Sequence, residues 1–191
     1  MIATIFASSA ELNARQSLIR TGLLALVGST LLAISAKVQV PFWPVPMTMQ
    51  TLVVLLIGAH GGGRLAAATV LAYLVEGAAG LPVFSPGAGL AFMAGPTGGY
   101  LVGFMVAAMT VAFAFERGLA TTVVRAAAVF IVADTLILAL GFAWLSTLIG
   151  SEKALAVGVI PFLPAEALKI ALATASMPLA RAFFQRSNPA K

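Results

Sequence analysis

Glu166 and Lys169 stand three residues apart in Pro161–Lys169 (PFLPAEALK), within an otherwise apolar stretch near the end of the chain. On a helix that spacing puts both side chains on one face. A charged group at membrane depth costs roughly 2.5–3.5 kcal/mol on insertion scales, so such groups turn toward a cavity or toward each other. A carboxylate beside an ammonium matches a small ligand that both donates and accepts hydrogen bonds, such as an amide or a urea. The competing use is a self-contained pair that holds helices together. Pro161 and Pro164 interrupt the apolar run, and proline suits the first turn of a helix. A helix starting near Pro164 carries Glu166 in its first turn, where the macrodipole favours an anion. Ala173 and Ser176 continue that face with small side chains and leave room beside it.

Two further acids lie in apolar surroundings. Asp134, near the middle of a long apolar run, suits a ligand contact or proton relay as well as it suits a helix–helix hydrogen bond. Glu76 is similar but lies nearer a segment end. Enzyme chemistry finds little support. His60-Gly-Gly-Gly63 is similar to an esterase oxyanion segment, yet no G-x-S-x-G nucleophile elbow accompanies it. A single histidine excludes HExxH zinc chemistry, and the absence of G-x-x-x-x-G-K-[ST] excludes an intrinsic P-loop ATPase. No metal and no cofactor are expected. If transport is ATP-driven, the motor is another chain.

The elements that position these residues are membrane helices. Of 191 residues 61% are hydrophobic and 9% charged, with a mean hydropathy of +1.05; soluble domains carry about 25% charged residues. Cysteine is absent, which excludes disulfide frameworks and thiolate chemistry. The net charge of +5 comes from Lys and Arg scattered among apolar spans rather than from a basic stripe, so bilayer orientation explains it better than nucleic acid does. Met1–Ile5 is apolar, but no n-region or A-x-A cleavage site is expected to make it a signal peptide. The chain reads as one transmembrane domain, 1–191, all-α, with spans at about 19–36, 46–60, 64–80, 96–115, 122–149 and 154–182. The 46–60 span is short against the roughly 20 residues a crossing needs.

Charge parity decides the count. Six spans with the N-terminus inside put Arg15, Arg20, Arg64, Arg117, Arg125, Arg181, Arg186 and Lys191 on the inner side and only Lys37 and Lys153 on the outer side. Dropping the short span weakens the bias to seven against three and inverts it. Six transmembrane helices with both termini cytoplasmic is the expected topology. The outer connections are then Gln39–Met47 and Gly80–Pro96, both apolar, aromatic and rich in proline. Either they rest in the headgroup layer, where Trp and Phe are at home, or they form a lid over an apolar pocket. Small residues recur every four positions at Ala25, Ser29 and Ala33 and again at Gly99, Gly103 and Ala107. Such rows allow close helix approach in lipid. Internal packing is expected of the second row, while the first is equally suited to docking a membrane partner. No internal repeat is evident.

Four stretches resemble the BioY family, the biotin-specific capture subunits of energy-coupling-factor (ECF) transporters. They are Pro41–Thr51 (PFWPVPMTMQT), Gly80–Phe84 (GLPVF), Gly95–Phe104 (GPTGGYLVGF) and Pro161–Lys169. The family pattern has Asp where this chain has Glu166, so the charge is kept on an arm one methylene longer. The resemblance implies a six-helix S component of the bacterial inner membrane that captures biotin from outside. A transmembrane scaffold and paired cytoplasmic ATPases would drive its release inward. It also implies that the row Ala25, Ser29 and Ala33 contacts the scaffold. Biotin's apolar ring and chain suit Trp43, Phe84, Phe92 and Tyr100. Its ureido N–H groups suit Glu166 and its ureido carbonyl suits Lys169. The competing function is a stand-alone proton-coupled secondary transporter of a small organic solute, with Asp134 and Lys169 as relay.

Overall fold

The computed structural model describes residues 14–85 and 87–186. Met1–Ile5 and Lys191 lie outside them, as do the side chains of Arg15, Arg181 and Arg186. Helix α1 (Ala14–Lys37) leads into a two-stranded hairpin of β1 (Gln39–Val40) and β2 (Met47–Thr48). Its antiparallel register pairs Gln39 with Thr48 and Val40 with Met47. There follow α2 (Gln50–Ala78), the short α3 (Gly89–Met93), α4 (Gly98–Glu116), α5 (Val123–Ile149) and α6 (Ser151–Gly158). A 3-10 turn (Ile160–Phe162) then passes into α7 (Leu163–Arg186).

Among the described residues, five helical runs are long and apolar enough to cross a membrane. Helix α2 is two rods in one run. Gly62 interrupts it at φ 71°, ψ 166°, a conformation that favours glycine. The Gln50 side-chain amide donates to the Tyr73 hydroxyl at 2.6 Å. A straight helix would separate residues 50 and 73 by about 35 Å at 1.5 Å per residue. The arms 50–61 and 63–78 must therefore run antiparallel, and together they replace the separate expected spans 46–60 and 64–80. Gly150 (φ 84°) separates α5 from α6, and the last expected span, 154–182, is interrupted by the 3-10 turn between α6 and α7.

Local chemistry fixes the ends. Thr122 caps α5 by accepting from the Arg125 amide at 3.2 Å. Gly118, at φ 69°, closes α4 while Leu119 N–H returns to the Ala114 carbonyl at 2.8 Å, the Schellman arrangement. Close approach then depends on missing side chains. A Cβ on Gly58 would lie 2.8 Å from the Ala108 carbonyl of α4, and one on Gly103 2.8 Å from Ile137 Cα of α5. Gly99 likewise abuts Leu140 and Trp144 of α5, so the second small-residue row is an internal seam. The core formed there includes Val54, Val70, Val111, Phe130 and Ile137. Without water in the bilayer, such seams hold by dispersion and close packing rather than by the hydrophobic effect.

Candidate functional site

Helix α7 turns Glu166, Lys169, Ala173 and Met177 inward, spaced by three, four and four residues, and Phe162 of the preceding 3-10 turn is buried on the same side. It begins at Leu163, which places Pro164 and Glu166 in its first turn. Glu166 and Lys169 are 3% and 4% exposed and paired at 2.7 Å. A third member comes from the start of α2. The Thr51 hydroxyl donates to Glu166 Oε2 at 2.7 Å and accepts from Lys169 Nζ at 2.9 Å. The three groups form a closed triangle joining the first and last parts of the bundle. Nothing in the sequence spacing of residue 51 pointed to it; its only signal was membership of the Pro41–Thr51 block.

The triangle adjoins a cavity at the end of the bundle that carries the β-hairpin and the segment 79–97. The cavity is narrow, with a volume of about 40 Å³ between close-set walls. Val45 and Pro46 line it from the hairpin, Gln50, Thr51 and Tyr73 from α2, and Phe84 and Phe92 from the segment beyond. Tyr100, Leu101 and Phe104 of α4, Ile137 of α5 and Phe162 with Glu166 form the facing wall. An apolar hollow with a few convergent polar groups has the character of a small-molecule site.

The aromatic side chains are ordered by contacts with one another. Phe84 stacks on Phe92 with ring centres 5.2 Å apart and meets Tyr73 edge-on at 5.3 Å. It is 1% exposed, lodged against Gly77. Tyr100 threads between Gly141 and Gly158, stacks on Phe162 at 6.1 Å and donates its hydroxyl to the Gly158 carbonyl at 2.7 Å. Tyr100, Phe84, Phe92 and Glu166 therefore meet at one cavity. Lys169 stands behind Glu166 and Thr51 and is not part of the cavity wall.

Trp43 is elsewhere. It is 83% exposed and does not line the cavity. Of its neighbours, Val45 is buried and takes the inward position, while Phe42, itself exposed, packs edge-on against Phe162 at 6.4 Å. Gln50 and Tyr73, which the sequence did not single out, supply a hydrogen-bonded polar edge; the Tyr73 hydroxyl also donates to the Val83 carbonyl at 3.3 Å.

The segment 79–97 is tied down on both sides. Lys37, the last residue of α1, donates to the Phe84 carbonyl at 2.7 Å. Ser85 donates to the Gln39 side chain, and Trp144 of α5 donates to the Gly95 carbonyl at 2.8 Å. The hairpin loop and the segment 79–97 thus both border the cavity. Of the two uses open to Ala25, Ser29 and Ala33, the structure displays internal packing. Ala25 and Ser29 are buried, Ser29 donates to Glu76 at 2.8 Å, and Ala33 packs partly buried on the core. The outward face of α1 carries Leu23, Leu26, Val27, Leu31 and Ile34 instead. Glu76 is accordingly a helix–helix contact. Asp134 is 3% exposed on the inward face of α5, within hydrogen-bonding reach of Glu166.

Comparison with known proteins follows the same lines. The family model described as BioY family matches residues 8–186. A probable biotin transporter BioY of Pyrococcus horikoshii is 35% identical over 144 residues, covering 75% of this chain and 85% of that protein. The biotin transporter BioY of Rhizobium etli is 35% identical over 168 residues, 83% of this chain and 89% of the other. Among solved structures, the S-component for biotin from an ECF-type ABC transporter superimposes with a TM-score of 0.75. It is 20% identical and covers 90% of this chain and 95% of that one, a likeness of fold.

Proposed function

The chain belongs to the BioY family, and on that premise we propose that it is the biotin-capturing S component of a vitamin uptake transporter. It binds its ligand and passes it inward rather than transforming it. The observation that carries this reading is the buried Thr51–Glu166–Lys169 triangle at the edge of an apolar cavity bordered by two apolar loops. Biotin's thiophane ring and valerate chain are apolar and suit Phe84, Phe92 and Tyr100. Its ureido ring offers two N–H donors and one carbonyl acceptor. Glu166 takes the N–H groups, and Lys169 meets the carbonyl when it exchanges its Thr51 hydrogen bond for the ligand. A site built on such hydrogen bonds rejects analogues that lack them, because its own buried polar groups would be left unpaired.

In this reading six rods cross the membrane, with α2 contributing two, and both termini face the cytoplasm. The antiparallel arms of α2 support that count. The distribution of charge supports the orientation: Arg64, Arg117 and Arg125 lie toward the Gly62 end, while Lys37 and Lys153 lie toward the cavity end. A transmembrane scaffold and paired ATPases on other chains supply the energy in a bacterial inner membrane. With Ala25 and Ser29 turned inward, contact between α1 and a scaffold falls to its outward apolar face.

The test is to purify the protein from cells grown with biotin, identify the bound small molecule by mass spectrometry, and titrate the ligand-free protein. Copurified biotin and saturable binding are expected, with Lys169→Ala inserting normally but binding far more weakly. Absence of saturable biotin binding to a monodisperse wild-type protein would overturn the assignment.

A further inference from the structure

The Asp134 carboxyl sits beside the Glu166 carboxylate in the bundle interior, and a single ammonium, Lys169, faces the two of them. If both acids were ionised the buried group would carry a net negative charge, an arrangement strongly disfavoured away from water. One shared proton makes the set neutral. The hydrogen bonds indicate where it resides. Both oxygens of Glu166 have donors, Lys169 on Oε1 and Thr51 on Oε2. Asp134 Oδ1 has no hydrogen-bond partner. An ionised Asp134 would leave a charged oxygen with no donor, whereas a protonated one leaves only a weak carbonyl-type acceptor unmet.

We propose that Asp134 carries a proton that it donates to Glu166, and so acts as a neutral positioning residue for the carboxylate of the ligand site. The inference rests on the reading of Glu166 as a ligand group and adds to it a third side chain from α5. Ile137, one turn further along α5, lines the cavity, so Asp134 is placed to fix Glu166 from the side away from the ligand. Among the described side chains, Glu166 and Lys169 are the charged groups that face it. Within the stretch 163–178 of α7, whose side chains are described, Glu166 and Lys169 are the charged residues. Helix α4 brings the Tyr100 phenol, whose hydroxyl is bound to Gly158, and α6 carries Glu152 and Lys153 on its exposed side. The α2 arm offers Thr51 and Gln50, which do not titrate.

The experiment has two arms on the purified full chain. In the first, infrared difference spectra of ligand-free protein at neutral pH compare wild type with Asp134→Asn. A protonated-carboxyl C=O band is expected in wild type and is lost in the variant; an unchanged band overturns the proposal. In the second, biotin affinity is followed from mildly acidic to alkaline pH. Wild-type affinity is expected to fall once the shared proton is removed, because two adjacent carboxylates then repel. Asp134→Leu should bind at least about tenfold more weakly, and Asp134→Asn, which keeps a donor, should recover most of that loss and be flat with pH. A wild type flat with pH, or Asn no better than Leu, overturns it. If the wild type binds no biotin at any pH, the functional reading fails, while the infrared arm still decides the state of Asp134.

Discussion

Thr51 donates its hydroxyl to the Glu166 carboxylate at 2.7 Å across 115 positions of sequence. The same oxygen accepts from Lys169, so a single hydroxyl satisfies both members of a buried ion pair. Removing one partner from buried charged groups costs more than the hydrogen bond alone contributes, because the groups left behind remain desolvated.

Thr51→Val preserves shape and deletes that hydroxyl. Biotin affinity is expected to fall about tenfold, corresponding to about 1.4 kcal/mol, with a lowered melting temperature in detergent. Thr51→Ser should retain most of the affinity. Calorimetric titration of both variants checks the prediction; equal binding by Val and Ser variants would remove Thr51 from the site.

The ion pair itself separates stability from binding. Breaking a buried pair on one side destabilises by about 3–5 kcal/mol, whereas replacing both partners with apolar groups of similar volume is often neutral. Glu166→Leu and Lys169→Met are each expected to lower the melting temperature, and the double variant should recover much of the loss. None of the three should bind biotin well. A double variant as unstable as the sum of the singles would show that the two charges are not energetically coupled.

The aromatic residues divide by exposure. Phe92 lines the cavity and stacks on Phe84, while Trp43 faces away. Phe92→Ala should weaken biotin binding by about tenfold or more, through lost stacking and apolar contact worth at least about 1.4 kcal/mol. Trp43→Ala should change it by less than about threefold. Tryptophan fluorescence offers a second readout, since ligand entry should perturb Trp144, bonded to Gly95 near the mouth, more than Trp43. A larger loss from Trp43→Ala than from Phe92→Ala would contradict this division.

What the sequence revealed follows from what is periodic or locally unusual. The apolar runs and the Glu166–Lys169 spacing are local signals, and each corresponds to an element or contact described above. The Trp43 placement was not legible, because the composition of Pro41–Thr51 does not say which of Phe42, Trp43 and Val45 turns inward; that depends on the hairpin register and on Phe162, far away in sequence. Thr51 was invisible for the same reason. An uncharged residue acquires its role from two groups more than a hundred positions distant. Gly62 lies between the expected spans 46–60 and 64–80, and the Gln50–Tyr73 contact demonstrates that the chain doubles back there.

Lys37 bears on how the cavity is entered. Its ammonium holds the Phe84 carbonyl at 2.7 Å and, more weakly, that of Ser85 at 3.4 Å, so the end of α1 is fastened to the segment whose Phe84 fills the hollow. The present walls leave too little room for a bicyclic ligand, and Phe84 with its segment is the nearest part that can give way without breaking a transmembrane helix. A charge-assisted hydrogen bond of this kind contributes more than a neutral one, but it lies at an exposed edge and is therefore screened by salt. Lys37→Met should raise the biotin dissociation rate about three- to tenfold, corresponding to about 0.7–1.4 kcal/mol, with a smaller increase in the association rate. High salt should raise the wild-type rate toward that of the variant. Stopped-flow displacement of a fluorescent biotin analogue measures both rates. Dissociation that is unaltered by the substitution and by salt would mean that the ligand enters by another route, leaving the α1 tether as a purely structural contact.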